Sequence, residues 1–188
     1  MRNDKAVLRK KYIHLRKINY LKKKTFNFHL ISNLIRKLFL RKKIIIAGYY
    51  PSNYEVDVLN FIKLLSKKKH KIALPVIGSK NSMSFKLWKY KEPLYVNNFG
   101  ILEPKNNNIV LPDLILVPLV AFDNKLNRIG YGKGYYDRSL KKIKKIKKNM
   151  LSMGMAYSFQ KCRKIPVNKH DFKLDYIFTE REIISSNR

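Results

Sequence analysis

Leu114-Ile115-Leu116-Val117-Pro118, then Leu119-Val120-Ala121-Phe122-Asp123, then Arg128-Ile129-Gly130-Tyr131-Gly132-Lys133-Gly134-Tyr135-Tyr136-Asp137-Arg138 is the stretch from which the architecture is read. A short apolar run bounded by turn residues predicts a strand buried on both faces. The glycine turn that follows leads into residues 135–146, whose spacing predicts a helix. Similar apolar runs at 44–49, 72–76, 151–155 and 176–178 predict further strands, and 83–90 alternates like a partly exposed one.

Helices are expected between these strands. Asn3 or Asp4 is placed to cap a first helix, with Leu8, Tyr12, Leu15 and Ile18 along one face. Residues 26–40 repeat that spacing. Asp57 is expected to begin a helix through Leu65, with Val58, Leu59, Ile62 and Leu65 inward. Residues 97–108 read as a loop, punctuated by Gly100, Pro104 and three asparagines. Strands alternating with helices predict one α/β domain: a mainly parallel central sheet flanked by helices, preceded by an N-terminal helical pair. In such sheets ligands sit at the carboxyl ends of the strands. The glycine segment, Tyr50-Pro51 and Glu103-Pro104 are the segments expected to meet there.

The glycine segment carries chemistry. Glycine permits positive φ and close approach of a ligand to the main chain. Arg128 and Lys133 suit phosphate oxygens, and a carboxylate such as Asp137 suits Mg²⁺, a hard cation. The spacing excludes two common nucleotide motifs. Lys133 is followed by Gly134 where a Walker loop needs Ser or Thr, and G-x-G-x-G is not the dinucleotide G-x-G-x-x-G. A glycine turn feeding a basic helix, with Tyr135 and Tyr136 in the core, is the plain structural alternative.

Composition sets bounds. The chain has 188 residues, 42 Lys and Arg against 12 Asp and Glu, and a formal charge of +30. Read alone, that charge suggests a nucleic-acid binder. The lysines are scattered through every segment, however, alongside abundant Asn and Ile, a pattern of compositional drift with solvated charges. No aromatic RNA-binding signature or zinc finger is present. The single Cys162 excludes an intrachain disulfide and thiolate clusters. No apolar signal core or membrane-length run occurs, so a cytoplasmic, reduced protein without a membrane or specific nucleic-acid partner is expected, with a monomer favoured.

Phe122-Asp123 with the string 128–138 resembles the signature of the 5-formyltetrahydrofolate cyclo-ligase family. Four further segments agree in order and spacing: Lys5 to Arg9 with Arg16; Tyr50-Pro51 to Glu55-Val56-Asp57; Phe99-Gly100-Ile101-Leu102-Glu103-Pro104; and His170-Asp171 to Leu174-Asp175 with Thr179-Glu180. One departure stands out. The family usually has glycine three residues after the Phe-Asp pair, where this chain has Leu126. If that turn needs positive φ, leucine is strained there; a turn displaced to Asn127 would relieve it.

The resemblance implies an ATP- and Mg²⁺-dependent ligase that converts 5-formyltetrahydrofolate, a reduced folate, to 5,10-methenyltetrahydrofolate, releasing ADP and phosphate. It implies that Lys133 and Arg128 act on the transferring phosphate. It implies ATP contacts from Lys5, Ala6, Val7, Leu8, Arg9, Arg128, Ile129, Gly130, Tyr131, Gly132, Lys133, Gly134, Tyr135 and Tyr136. Tyr50, Glu55, Tyr131, Gly132, Lys133, Gly134 and Tyr135 would contact the folate, and Asp137 with Asp175 would hold Mg²⁺. Arg16 is a weaker nucleotide candidate, and Trp88 is expected in the core.

Overall fold

The structure, a computed structural model, describes residues 2–20, 22, 25–79 and 82–186. Its helices are α1 (Arg2–Asn19), α2 (Phe28–Leu38), α3 (Leu59–Lys67) and α4 (Tyr135–Ile146). Its strands are β1 (Ile45–Ala47), β2 (Lys71–Ile77), β3 (Met83–Leu87), β4 (Tyr95–Val96), β5 (Leu102–Glu103), β6 (Ile109–Val110), β7 (Leu114–Pro118), β8 (Ala121–Phe122), β9 (Arg128–Ile129), β10 (Leu151–Met155), β11 (Tyr176–Phe178) and β12 (Ile183–Ser185). Residues 158–160 form one 3₁₀ turn.

Eight strands form the main sheet in the order β12-β11-β10-β7-β1-β2-β3-β6. The five from β11 to β2 run parallel; β12 on one side, and β3 then β6 on the other, extend the sheet with antiparallel pairings. The apolar runs that predicted strands supply both faces. Ile46, Ile72, Leu74, Leu114, Leu116 and Met153 pack with Ile31 and Ile35 of α2 and Phe61, Ile62 and Leu65 of α3. Their neighbours Ala47, Ala73, Ile115 and Val117 turn to the other face, against Leu140 and Ile143 of α4. Alternate residues of one strand feed two cores because side chains alternate across a sheet.

The chain leaves β1 through α3 to β2 on one side, and leaves β7 through α4 to β10 on the other. β1 and β7 are adjacent, so the connections diverge between them. That divergence opens a crevice at the carboxyl ends of the strands.

Several expectations shift. The third helix starts at Leu59, not Asp57, which accepts from the Leu59 N–H instead; Phe61 joins the inward stripe and Leu59 is half-buried. α1 already runs from Arg2, so Asp4 lies within its first turn; the Asn3 side chain lies outside the described residues. Ile18 is exposed, and Arg16 occupies the buried face. Residues 97–108 are not plain loop: Asn97 turns the β4–β5 hairpin by accepting from the Phe99 and Ile101 N–H groups. The small β8–β9 hairpin and β12 were not expected. Their strands of two or three residues are too short to show a period.

Leu126 takes the positive φ that the family's glycine suggests, at 64°. The turn is not displaced to Asn127. Asp123 braces it, accepting from the N–H groups of Lys125, Asn127 and Ile165. The Leu126 side chain is fully buried in the α4-side core. Burying a leucine contributes about 1.5–3 kcal/mol, enough to offset a left-handed cost of about 1–2 kcal/mol.

Candidate active site

The crevice between β1 and β7 is bridged by side chains from three segments. After β1 the chain turns through Tyr49-Tyr50-Pro51, and the Tyr49 hydroxyl donates to the Val56 carbonyl at 2.8 Å. This holds Glu55 inside, 6% exposed. One Glu55 oxygen accepts from the Ser52 N–H at 2.9 Å, the other from the Tyr131 hydroxyl at 2.9 Å. Arg16 comes in from α1, and its NH2 group donates to the Tyr131 oxygen at 2.5 Å. Burial pushes the Glu55 carboxyl above its ordinary range, against the hydrogen bonds from Ser52 and Tyr131 and the charge of Arg16. Burial likewise pushes the Tyr131 hydroxyl well up. Tyr131 nevertheless keeps 39% exposure, and Tyr50 is also partly exposed.

The glycine loop spans residues 130–134. Gly132 has φ +96°, and a Cβ there would lie 3.2 Å from the Arg9 guanidinium. Arg9 Nε donates to the Gly130 carbonyl at 2.7 Å. A side chain at residue 132 would be strained by that φ and would crowd the Arg9 guanidinium, so glycine suits this close approach. Gly134, at φ +69°, precedes the first turn of α4. The opening N–H groups of a helix lack intrahelical partners and attract anions. Lys133 is exposed. Arg138 closes the far side, donating to the Lys133 carbonyl at 2.8 Å and lying over the Tyr135 ring.

Arg128, 8% exposed, donates to the Phe172 carbonyl at 2.6 Å and to Asp137 Oδ1 at 2.8 Å. The Phe172 N–H also donates to Asp137 Oδ1, at 3.0 Å. Lys5 pairs with Asp171 on the same segment. α1, the glycine loop and residues 170–172 therefore meet at one rim.

Most of the expected site residues gather there, and some do different work. Ala6 and Val7 are exposed. Leu8 packs against a cluster containing Tyr12, Val120 and the buried Ile129, so Leu8 and Ile129 are committed to packing. Tyr136, in the first turn of α4, packs half-buried against the core under that helix, and its buried hydroxyl has no partner among the described residues. Glu103 closes the neighbouring strand end, accepting from the Ile77 N–H at 2.9 Å. Trp88 is buried as expected, its indole N–H on the Glu92 carbonyl.

Asp175 is not brought to Asp137. Its carboxylate accepts from the Ser152 N–H at 2.9 Å and hydroxyl at 2.8 Å, and lies 3.8 Å from Lys144. Lys144 is two helical turns beyond Asp137, about 10 Å along α4. Among the described residues, no three His, Cys, Asp or Glu side chains cluster as a metal site. Asp137 alone fits a metal–phosphate complex: its described contacts fall on one oxygen, and Mg²⁺ commonly takes one or two carboxylates and completes its shell with phosphate oxygens and water.

Three contributors carried little sequence signal. Arg16 reads in the sequence only as a weaker nucleotide candidate beyond Arg9, and Asp171 lies in a family-like segment with no partner in view. Arg138 stood within the quoted string without an assigned job.

These features define an α/β protein with a basic, glycine-lined loop beside a buried carboxylate at the switch point of its sheet. No helix among the described residues is long and apolar enough to cross a membrane. The chain belongs to the 5-formyltetrahydrofolate cyclo-ligase family, which it matches over residues 1–180. This is a family of ligases that form a carbon–nitrogen bond. The chain is 35% identical over 136 residues to 5-formyltetrahydrofolate cyclo-ligase of Haemophilus influenzae, covering 69% of this chain and 72% of that one. It is 32% identical over 180 residues to the Mycoplasma genitalium enzyme of that name, covering 93% and 96%. The NMR structure of Aquifex aeolicus 5,10-methenyltetrahydrofolate synthetase superposes with a TM-score of 0.80 at 34% identity, covering 98% of this chain and 94% of that one.

Proposed function

We propose that this protein uses ATP and Mg²⁺ to close 5-formyltetrahydrofolate into 5,10-methenyltetrahydrofolate, releasing ADP and phosphate. The observation that carries this reading is the Tyr131–Glu55 hydrogen bond across the β1–β7 crevice. It sets a buried acceptor for a heterocycle against one side of a glycine loop whose other side meets Arg9.

The chemical difficulty is the formyl oxygen, a poor leaving group. Attack of that oxygen on the γ-phosphorus of ATP expels ADP and leaves a phosphorylated iminium. The second folate nitrogen then attacks the formyl carbon, its proton is lost, and phosphate departs with the former formyl oxygen. Phosphoryl transfer asks a protein for positioning and charge neutralisation.

The residues divide that work. Glu55, hydrogen-bonded to Tyr131, accepts hydrogen bonds from the pterin amino and ring N–H groups, and Tyr50 flanks the ring. The loop backbone at 130–134 lies between folate and triphosphate, and the first N–H groups of α4 face phosphate oxygens. Lys133, exposed and flexible, follows the transferring phosphoryl group; Arg9 and Lys5 approach the nucleotide from α1. Arg128 holds Asp137 in place and lends its charge to the phosphates. Mg²⁺ bound at Asp137 supplies further neutralisation of the triphosphate.

The test is direct. Purified protein with MgATP and 5-formyltetrahydrofolate is expected to form the methenyl product, followed by its near-ultraviolet absorbance. No product under conditions where a known cyclo-ligase works overturns the reading.

A further inference from the structure

We propose that Arg16 is a positioning residue of the folate side of the site, which acts through the Tyr131 hydroxyl to orient the Glu55 carboxylate as an acceptor. This rests on the folate reading of Glu55 and assigns Arg16 away from the nucleotide.

The direction of the chain of hydrogen bonds follows from donor chemistry. A guanidinium can only donate. The Arg16–Tyr131 contact therefore uses the phenol oxygen as acceptor, and the single Tyr131 hydrogen is left for Glu55. The other Glu55 oxygen accepts from Ser52. Both oxygens accept hydrogen bonds from the protein, the arrangement that suits an ionised carboxylate. Arg16 also lies 5.4 Å from the centroid of the Tyr131 ring, which fixes the ring as well as its hydroxyl.

Among the described residues, Arg16 is the cation named as acting on Glu55. Tyr49 at the end of β1 and Tyr136 on α4 are within its electrostatic reach, both buried phenols pushed well above their ordinary range by burial. Tyr157 beside the 3₁₀ turn faces Arg16. Arg16 adds its charge to the hydrogen bonds from Ser52 and Tyr131 that oppose the burial of Glu55.

Stability alone does not account for Arg16. It is 1% exposed, its second donor reaches the Leu119 carbonyl only at 3.4 Å, and its Nε–H has no acceptor among the described residues. A buried donor left unpaired costs free energy, and apolar replacement of buried ionic groups is often neutral or stabilising. Position agrees. Arg16 lies seven residues beyond Arg9, two turns or about 10 Å further along α1. One helix thus serves the glycine loop with Arg9 and the carboxylate with Arg16.

The experiment compares wild type with Arg16→Met, Arg16→Lys and Tyr131→Phe, measuring kcat and KM for each substrate across pH. Arg16→Met and Tyr131→Phe are expected to raise KM for the folate about tenfold or more and KM for ATP less than about threefold. The acid limb of kcat/KM for the folate is expected to move to higher pH in both. Arg16→Lys, which keeps the charge, is expected to restore part of that limb. Equal effects on the two substrates, or an unmoved limb, overturn the proposal. A ligand-free arm measures stability against pH for wild type, Glu55→Gln, Arg16→Met and the double variant. The Glu55 titration is expected to move to higher pH without Arg16; strict additivity at every pH overturns the coupling. If wild type fails to turn over the folate, the proposed function fails while this second arm still decides the role of Arg16. If Arg16→Met does not fold, Tyr131→Phe carries the same test with both charges in place.

Discussion

Arg128 and Asp137 form an ion pair of 2.8 Å, with the Arg128 side chain 4% and the Asp137 side chain 28% exposed. The guanidinium is therefore a fixture of the fold before any phosphate arrives. It ties the loop's first strand to the first turn of α4 and, through Phe172, to the segment before β11.

Arg128 and Lys133 should therefore separate on substitution. Arg128→Ala strands the Phe172 carbonyl and Asp137, and is expected to cost about 1–3 kcal/mol of stability along with activity. Lys133→Ala removes an exposed cation, with a stability change within about 0.5 kcal/mol. Its rate is expected to fall about 10²–10³-fold, the usual scale for losing one electrostatic donor to a transition state. Urea unfolding beside steady-state kinetics checks both. Near-normal kcat in Lys133→Ala removes that residue from phosphoryl transfer.

Asp137 and Asp175 are predicted to part company over metal. Asp137→Asn is expected to raise the Mg²⁺ concentration needed for half-maximal rate. Asp175→Asn is expected to leave it unchanged and to lower stability, because it disturbs the acceptor of Ser152 and the partner of Lys144. Rate measured against Mg²⁺ at fixed ATP decides. A rise in the Mg²⁺ requirement with Asp175→Asn restores the two-carboxylate site.

Glu55 should imprint a slope on stability against pH. Its carboxyl is raised mainly by burial. A raised folded-state pKa contributes stability below the ordinary carboxyl range, and that contribution is lost as pH rises through the raised value. Compared with Glu55→Gln, wild type is expected to lose stability from acid toward neutral pH. Chemical unfolding at several pH values measures the difference. A slope of opposite sign means that Arg16 and the hydrogen bonds outweigh burial.

Leu126 makes an unusual ordering. Leu126→Ala keeps the left-handed strain and empties a core position, at about 2–5 kcal/mol. Leu126→Gly empties the same position but relieves about 1–2 kcal/mol. The glycine variant is expected to be the more stable of the two, and both weaker than wild type, by urea unfolding. Alanine above glycine would mean that positive φ at residue 126 costs nothing.

Much of the fold was legible because burial on two faces leaves continuous apolar runs. The runs at 44–49, 72–76, 114–118, 151–155 and 176–178 each fall on a strand of the parallel sheet. The two-residue strands were illegible, since they are formed by pairing across the chain: Phe122 with Arg128, Tyr95 with Glu103. Among site residues, those within the glycine string were visible from spacing. Asp171 was not, because its meaning depends on Lys5, 166 residues away.

The sequence by itself determined the α/β architecture, the glycine loop with its cations, and the family. Those depend on local spacing and on residue order, which the chain carries without folding. The tertiary structure alone decided which groups face one another: that Arg16 reaches Glu55 through the Tyr131 hydroxyl, that Asp175 stands apart from Asp137, and that Leu126 fills a glycine's backbone conformation. These are contacts over long stretches of chain, or a contest between local strain and distant packing. No local pattern encodes their outcome.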